Sequence, residues 1–110
     1  MTPPIPRRGE VWFANVPGDM RRPVLILTRD PMGQYLHSVL CAPVTSTFRG
    51  LTTEVILGVD AGLDRESAAN FDNTLLLERI HLLKRMGRVP APVMQEACQA
   101  LATAVGCSFR

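Results

Sequence analysis

Two stretches of this 110-residue sequence place reactive polar groups at the ends of apolar runs. Arg21-Arg22-Pro23-Val24-Leu25-Ile26-Leu27-Thr28 is a cationic pair leading straight into an apolar strand. Val39-Leu40-Cys41-Ala42-Pro43-Val44-Thr45-Ser46-Thr47 is a second apolar run that delivers hydroxyls at its far end. If the two strands are neighbours, a guanidinium and a hydroxyl meet at one spot on an otherwise apolar sheet. A guanidinium can hold a phosphate through two parallel hydrogen bonds and can stack on a base. Lys84 is the only lysine among the 12 cationic residues. That arginine excess suits phosphate recognition, and it is equally what a GC-rich genome would encode. A formal net charge of +2 is too small to identify a nucleic-acid partner by itself.

The elements that must position these groups can be read in order. Residues 1–8 are proline-rich and basic, a loose lead-in. Gly9 to Val16 has the β-branched and aromatic content of a first strand, and Pro17-Gly18-Asp19 is turn chemistry. Pro23 to Thr28 is apolar at every position, so this second strand should be covered on both faces. Ser38 to Val44 forms a third strand. Pro43 cannot donate to a ladder, so the strand should be frayed, bulged or at an edge by that point, leaving Thr45, Ser46 and Thr47 in a loop. Thr52 to Leu57 is a fourth strand interrupted by Glu54, and Gly58 to Glu66 a loop. Leu75 to Met86 would suit a helix by spacing, whereas Ala68 to Thr74 alternates like a strand. The reading adopted is a strand from Ala68 to Leu77 and a short helical turn over Arg79–Arg85. Pro92 stands where a helix can begin, with Val93, Met94, Ala97, Cys98, Leu101 and Val105 on one face and Gly106 at its end.

The length fits one domain spanning residues 1–110, large enough to bury a core without staples. Cys41, Cys98 and Cys107 are an odd set without CxxC spacing, and Cys41 and Cys98 read as small core residues. The N-terminus lacks the apolar run of a signal peptide, and nothing approaches the length of a membrane span. A reduced cytoplasmic protein is the expectation. The fold class is mainly β with a C-terminal helix, a small, partly open antiparallel barrel.

Arg8-Gly9-Glu10-Val11-Trp12, Arg22-Pro23-Val24-Leu25 and Ala42-Pro43-Val44-Thr45-Ser46 occur in this order at short separations. With Leu63-Asp64-Arg65-Glu66-Ser67, Asn70-Phe71-Asp72-Asn73 and the terminal helix, they resemble the MazF/PemK family of toxin–antitoxin endoribonucleases over nearly the whole chain. The resemblance implies an SH3-like barrel of the PemK/CcdB type, forming a homodimer. It implies cleavage of single-stranded RNA without a metal or any other cofactor, leaving a 2′,3′-cyclic phosphate and a 5′-hydroxyl. A cognate, usually acidic antitoxin would thread a segment into the same groove.

Matched to the family's motifs, Arg22 would bind the phosphate and Thr45 would be the catalytic hydroxyl. Asp72 would orient Arg22 or accept a proton, its side chain sharing a strand face with that of Asn70. Asn70 stands where some relatives carry arginine, so the acid–base assignment does not transfer. Ser46 is a further RNA contact, though loop capping is its better-supported role. Phosphate contacts are expected from Arg7, Arg8, Arg29 and Arg49, with Trp12, Phe13 or Tyr35 as stacking platforms. Trp12 and Phe13 point to opposite faces, so at most one is exposed. Neither His37 nor His81 lies in a motif, so two-histidine ribonuclease chemistry is not supported. The connection between the first two strands is short where many relatives carry a longer gating loop. Dimerisation is expected to bury apolar surface of the second strand and the terminal helix. Two rivals share the fold: a CcdB-like toxin that binds DNA gyrase, and a non-catalytic SH3-like module. The gyrase binders depend on a Trp-Gly-Ile tail, whereas this sequence ends Cys107-Ser108-Phe109-Arg110.

Overall fold

A computed structural model describes residues 2–107; Ser108, Phe109 and Arg110 of the tail just compared lie outside the described residues. Seven antiparallel strands form one sheet that does not close, followed by a single long helix. The strands are β1 (Glu10–Asn15), β2 (Arg21–Ile26), β3 (Ser38–Thr45), β4 (Glu54–Leu57), β5 (Ser67–Asn70), β6 (Leu75–Glu78) and β7 (Leu82–Arg88); the helix α1 is Ala91–Ala104. Along the sheet the order is β4-β5-β3-β2-β1-β7, with β6 also paired to β3.

β2 is covered on both faces, as its unbroken apolar run demands. Leu25 packs with Val11, Val44, Phe71 and the α1 residues Met94 and Ala97 in one core. Val24 and Ile26 point the other way, into a second core with Ala14, Val39, Cys41 and Leu77. Val24, Leu25 and Ile26 are completely buried within the single chain. They therefore offer no dimer surface, contrary to expectation. Burial pushes the Cys41 thiol up to about 12. Cys98, expected in the core, is exposed instead. The buried face of α1 runs through Met94, Ala97 and Ala100 and leaves Val105 in solvent. At its end Gly106 adopts φ +78. The Cys107 N–H donates to Ala102 O at 2.7 Å and the Gly106 N–H to Thr103 O at 3.1 Å, a Schellman cap.

Three expectations need correction. The strand foreseen over Ala68–Leu77 is two strands, broken by a 3-10 turn at Phe71–Asn73. Helical geometry in the following segment covers only Arg79–His81, because Leu82–Arg88 pairs with β1. Spacing alone favoured a helix there; the free edge of β1 decided otherwise. Residues 2–8 are not loose. Pro6 is fully buried. Arg79 donates from Nε to Pro4 O at 2.9 Å and from a terminal nitrogen to Pro3 O at 3.3 Å. Gly33 lies so close beneath that a Cβ there would run into the Pro6 carbonyl.

Pro43 neither frays β3 nor ends it. Leu27 N–H donates to Leu40 O, so by alternation the backbone of residue 43 faces the opposite edge. On that edge the neighbour changes from β6, last paired at Cys41, to β5, first paired at Val44. The missing N–H thus falls in a gap that asks for none, and the strand continues to Thr45.

Candidate active site

The register of β2 against β3 runs Val24↔Pro43, Leu25↔Ala42, Ile26↔Cys41. Continued two residues, it sets Arg22 opposite Thr45, where β2 and β3 part from each other while Arg22 stays paired with β1 and Thr45 with β5. Both residues line two adjoining clefts and so form the crest between them. Arg22 and Thr45 are the residues singled out in the sequence, and the register brings them together. Thr45 is the last residue of β3, not a loop residue. Its Oγ1 accepts from the Thr47 N–H at 3.1 Å, which fixes the hydroxyl oxygen and leaves its proton free to donate.

Asp19, read in the sequence only as part of a turn, holds Arg22. Arg22 Nε lies 3.0 Å from Asp19 Oδ2, and a terminal nitrogen donates to Oδ1 at 3.3 Å. Nε is buried and its hydrogen is not aimed at the carboxylate, so this arm is an ion pair rather than a directed hydrogen bond. The Met20 N–H donates to Asp19 Oδ1 at 2.7 Å. That backbone bond, with Arg22 second, holds the Asp19 carboxyl below its ordinary value of 3.8. The sequence signal that could have found Asp19 is its i, i+3 spacing from Arg22 across so short a turn.

The first cleft, of about 340 Å³, has apolar walls from Val16, Pro43 and Leu75 and polar groups from Asp19, Asn70 and Asn73. The second, of about 420 Å³, is lined by Arg21 and Arg65 beside Arg22, by the acidic Asp64, and by Ser46 and Phe13. Gly62, with φ +89, and Gly87 let the loop that carries Asp64 and Arg65 lie against β7; a Cβ on Gly62 would strike the Met86 backbone and one on Gly87 the Ala61 backbone.

Asp72 lines neither cleft, and it does not orient Arg22. It sits in the turn after β5, so the strand alternation expected to align it with Asn70 does not apply. Its Oδ2 accepts from Thr53 Oγ1 at 2.7 Å, and its N–H donates to Asn70 Oδ1 at 2.9 Å. Arg8 lies elsewhere, beside α1: its N–H donates to Asp30 Oδ1 at 3.0 Å and a terminal nitrogen reaches Cys98 Sγ at 3.3 Å. Arg7 is exposed, its N–H bonded to Glu10 Oε1 at 2.7 Å. Arg29 and Arg49 are exposed and line neither cleft. Of the aromatic candidates, Phe13 faces the cationic cleft, Trp12 packs on the second core, and Tyr35 is exposed away from both clefts. His37 pairs with Glu78 at 2.8 Å, and neither histidine lines a cleft.

Residues 7–105 match the model of a family described as PemK-like, MazF-like toxin of type II toxin-antitoxin system. A probable endoribonuclease MazF2 of Mycobacterium tuberculosis is 41% identical over 102 residues, spanning 92% of this chain and 99% of its own. The probable endoribonuclease MazF5 of the same species is 42% identical over 106 residues, spanning 94% and 96%. Among solved structures, the Mycobacterium tuberculosis toxin MazF-mt6 superposes with a TM-score of 0.85 at 33% identity, over 91% of this chain and 99% of its own. A mycobacterial endoribonuclease in complex with its cognate antitoxin superposes with a TM-score of 0.82 at 28% identity, over 96% and 99%.

Proposed function

The chain belongs to the PemK-like, MazF-like toxin family of type II toxin–antitoxin systems, and from that premise we propose that it cleaves single-stranded RNA at the Arg22–Thr45 crest. The observation that carries this reading is the pairing of a held guanidinium with a free hydroxyl proton at the meeting point of two clefts. The 2′-oxygen attacks the adjacent phosphorus and loses its proton, the bond from phosphorus to the 5′-oxygen breaks, and that oxygen takes up a proton. The products are a 2′,3′-cyclic phosphate and a free 5′-hydroxyl. Arg22 binds the equatorial phosphate oxygens, where charge grows in the transition state, and Thr45 donates to one of them. Neither role calls for a metal.

The second cleft guides the strand. Arg21 and Arg65 neutralise phosphates beside the cut, Ser46 adds a hydroxyl, and the half-buried Phe13 offers a stacking edge. Arg8, Arg29 and Arg49 would meet only phosphates beyond the two clefts. Asp72 acts as a buttress for Asn70. An acidic segment of a cognate antitoxin fits the same cationic cleft, and the superposition with an antitoxin-bound endoribonuclease supports that partner. The active form is a homodimer working in the cytoplasm; among the described residues no helix is long and apolar enough to cross a membrane.

The test is incubation with a long unstructured RNA in EDTA, with fragment ends typed by whether the 5′ terminus accepts phosphate directly. Wild type should give discrete fragments with free 5′-hydroxyls. Arg22→Ala should cut about 10²–10³-fold more slowly, the usual loss for one transition-state donor, and Thr45→Ala should also be slowed. Cutting that survives both substitutions would remove the crest as the active site. No cutting by wild type would remove the nuclease.

A further inference from the structure

The two clefts beside the crest differ in chemistry, and the difference assigns them separate parts of the RNA. The one beyond Thr45 carries Arg21 and Arg65 and suits the sugar–phosphate chain. Its neighbour has no cation besides Arg22; it has apolar walls and two carboxamides, Asn70 and Asn73. We infer that this asparagine cleft holds the single nucleobase next to the cut phosphate, and that Asn73 and Asn70 select which base it is. The inference rests on the nuclease reading above and adds the residues that set its sequence preference.

The hydrogen-bonding capacity of the two amides supports it. Asn70 Oδ1 accepts the Asp72 N–H at 2.9 Å, which ties the oxygen to the turn and leaves both Nδ2 hydrogens free to donate. Asn73 is exposed, and its side chain makes no hydrogen bond among the described residues, leaving donor and acceptor both free. A carboxamide pairs with a base edge through two hydrogen bonds, and RNA-binding proteins read splayed single-stranded bases on those edges. Val16, Pro43 and Leu75 supply the dry walls against which such bonds count most. At about 340 Å³ the cleft is at the small end of ligand sites, fit for one base rather than a run of them.

Rigidity is the second support. The turn that carries both asparagines is held from every side. Phe71 is buried in the core at 2% exposure, and its N–H donates to Thr53 O at 2.9 Å. Thr53 Oγ1 donates to Asp72 at 2.7 Å, and Thr74 Oγ1 to Phe71 O at 2.7 Å. The held turn fixes the position from which both amides act, and Asn70, tied through Oδ1 to the Asp72 N–H, cannot re-aim itself to suit a wrong base, which turns hydrogen bonding into discrimination. One good two-bond pairing is worth about 5- to 150-fold between right and wrong bases.

The experiment is sequencing of cut ends from a pool of RNAs randomised around the cleavage site, using wild type, Asn73→Ala and Asn70→Asp. Asn70→Asp keeps the oxygen that caps the turn and replaces the donors with an acceptor. Both variants should lose or change the preference at one position flanking the cut by 5-fold or more, while preferences at other positions persist. Motifs identical to wild type in both variants would overturn the inference. So would variants that melt like wild type yet lose cutting equally on all sequences, since that behaviour marks a general role in catalysis. Failure of wild type to cut any RNA is a different result, and it would fall on the nuclease itself.

Discussion

Arg22 turns its Nε edge into the protein against Asp19 and is left with terminal nitrogens for a ligand in either cleft. A guanidinium on a flexible stem loses rotamer freedom each time it binds; one already clamped does not. Asp19→Asn should therefore leave the charge of Arg22 intact and loosen its aim, lowering kcat about 10–100-fold, as small misplacements of a catalytic group do. Cutting rates of wild type and variant across pH check this. The Asp19 carboxyl is held below its ordinary value by the Met20 N–H and then by Arg22. A lowered carboxyl keeps its clamp at every pH above the ordinary value and loses it as pH falls through the lowered one. The ratio of the two rates should thus be constant across neutral pH and shrink only in acid. A ratio that changes near pH 7 would mean that Asp19 itself exchanges a proton in the reaction. At this scale Arg22 and Thr45 were legible in the sequence because each ends an apolar run, and neighbouring antiparallel runs align their ends. Asp19 was not, because Pro17-Gly18-Asp19 explains itself fully as a turn. Asp72 was misread because the 3-10 turn at Phe71–Asn73 cancels the alternation on which its assignment stood.

Glu10 ties the N-terminal lead-in and its own strand β1 to β7, which lies far along the sequence. Its Oε1 accepts from the Arg7 N–H at 2.7 Å and from Trp12 Nε1 at 3.0 Å, and its Oε2 from Arg85 Nε at 2.6 Å. Burial by itself would push this carboxyl up, but those three donors outweigh it and hold it below its ordinary value of 4.5. Glu10→Ala should cost about 1–3 kcal/mol, chiefly through the Arg7 N–H and Trp12 Nε1–H left without an acceptor. Arg85 is half-exposed, so its arm is screened by solvent and adds about 0–1 kcal/mol. Urea unfolding reads the loss at neutral pH. Because the folded carboxyl is the more acidic one, its contribution is complete above the ordinary value and fades as pH falls through the lowered one. Wild type and variant should converge in acid; a gap that persists there would place the effect in packing rather than charge. The Glu10–Arg85 pair explains why β7 was misassigned. Its apolar spacing is ambiguous locally, and the partners that make it a strand, β1 and Glu10, stand about seventy residues earlier. The same distance hid the ordered lead-in, which Arg79 fastens from the far side of the chain.

For the molecule as a whole, the open sheet with two cores was legible because β2 is apolar at every position and so must be covered twice. The surface left over was not legible, since a leucine in an apolar run gives no sign of which side will find cover. Val24, Leu25 and Ile26 of the strand and Met94, Ala97 and Ala100 of the helix, on elements expected to meet a second copy, are buried inside the chain. Large apolar side chains remain exposed instead on the β6–β7 stretch: Leu76 at 71%, Ile80 at 59% and Leu83 at 47%. β7 is an end strand of the sheet, and β6 pairs with β3 alone among the described strands. Unpaired strand edges flanked by such residues invite association, and a twofold dimer is the arrangement that closes them without leaving a further edge to grow from. Glutamate there would put like charges against each other across a twofold axis. Leu76→Glu combined with Leu83→Glu should therefore turn a dimer into a monomer of unchanged fold, read by sedimentation equilibrium and circular dichroism. Wild type that sediments as a monomer at every concentration would refute the dimer. A variant that stays dimeric would move the interface to another face of the molecule.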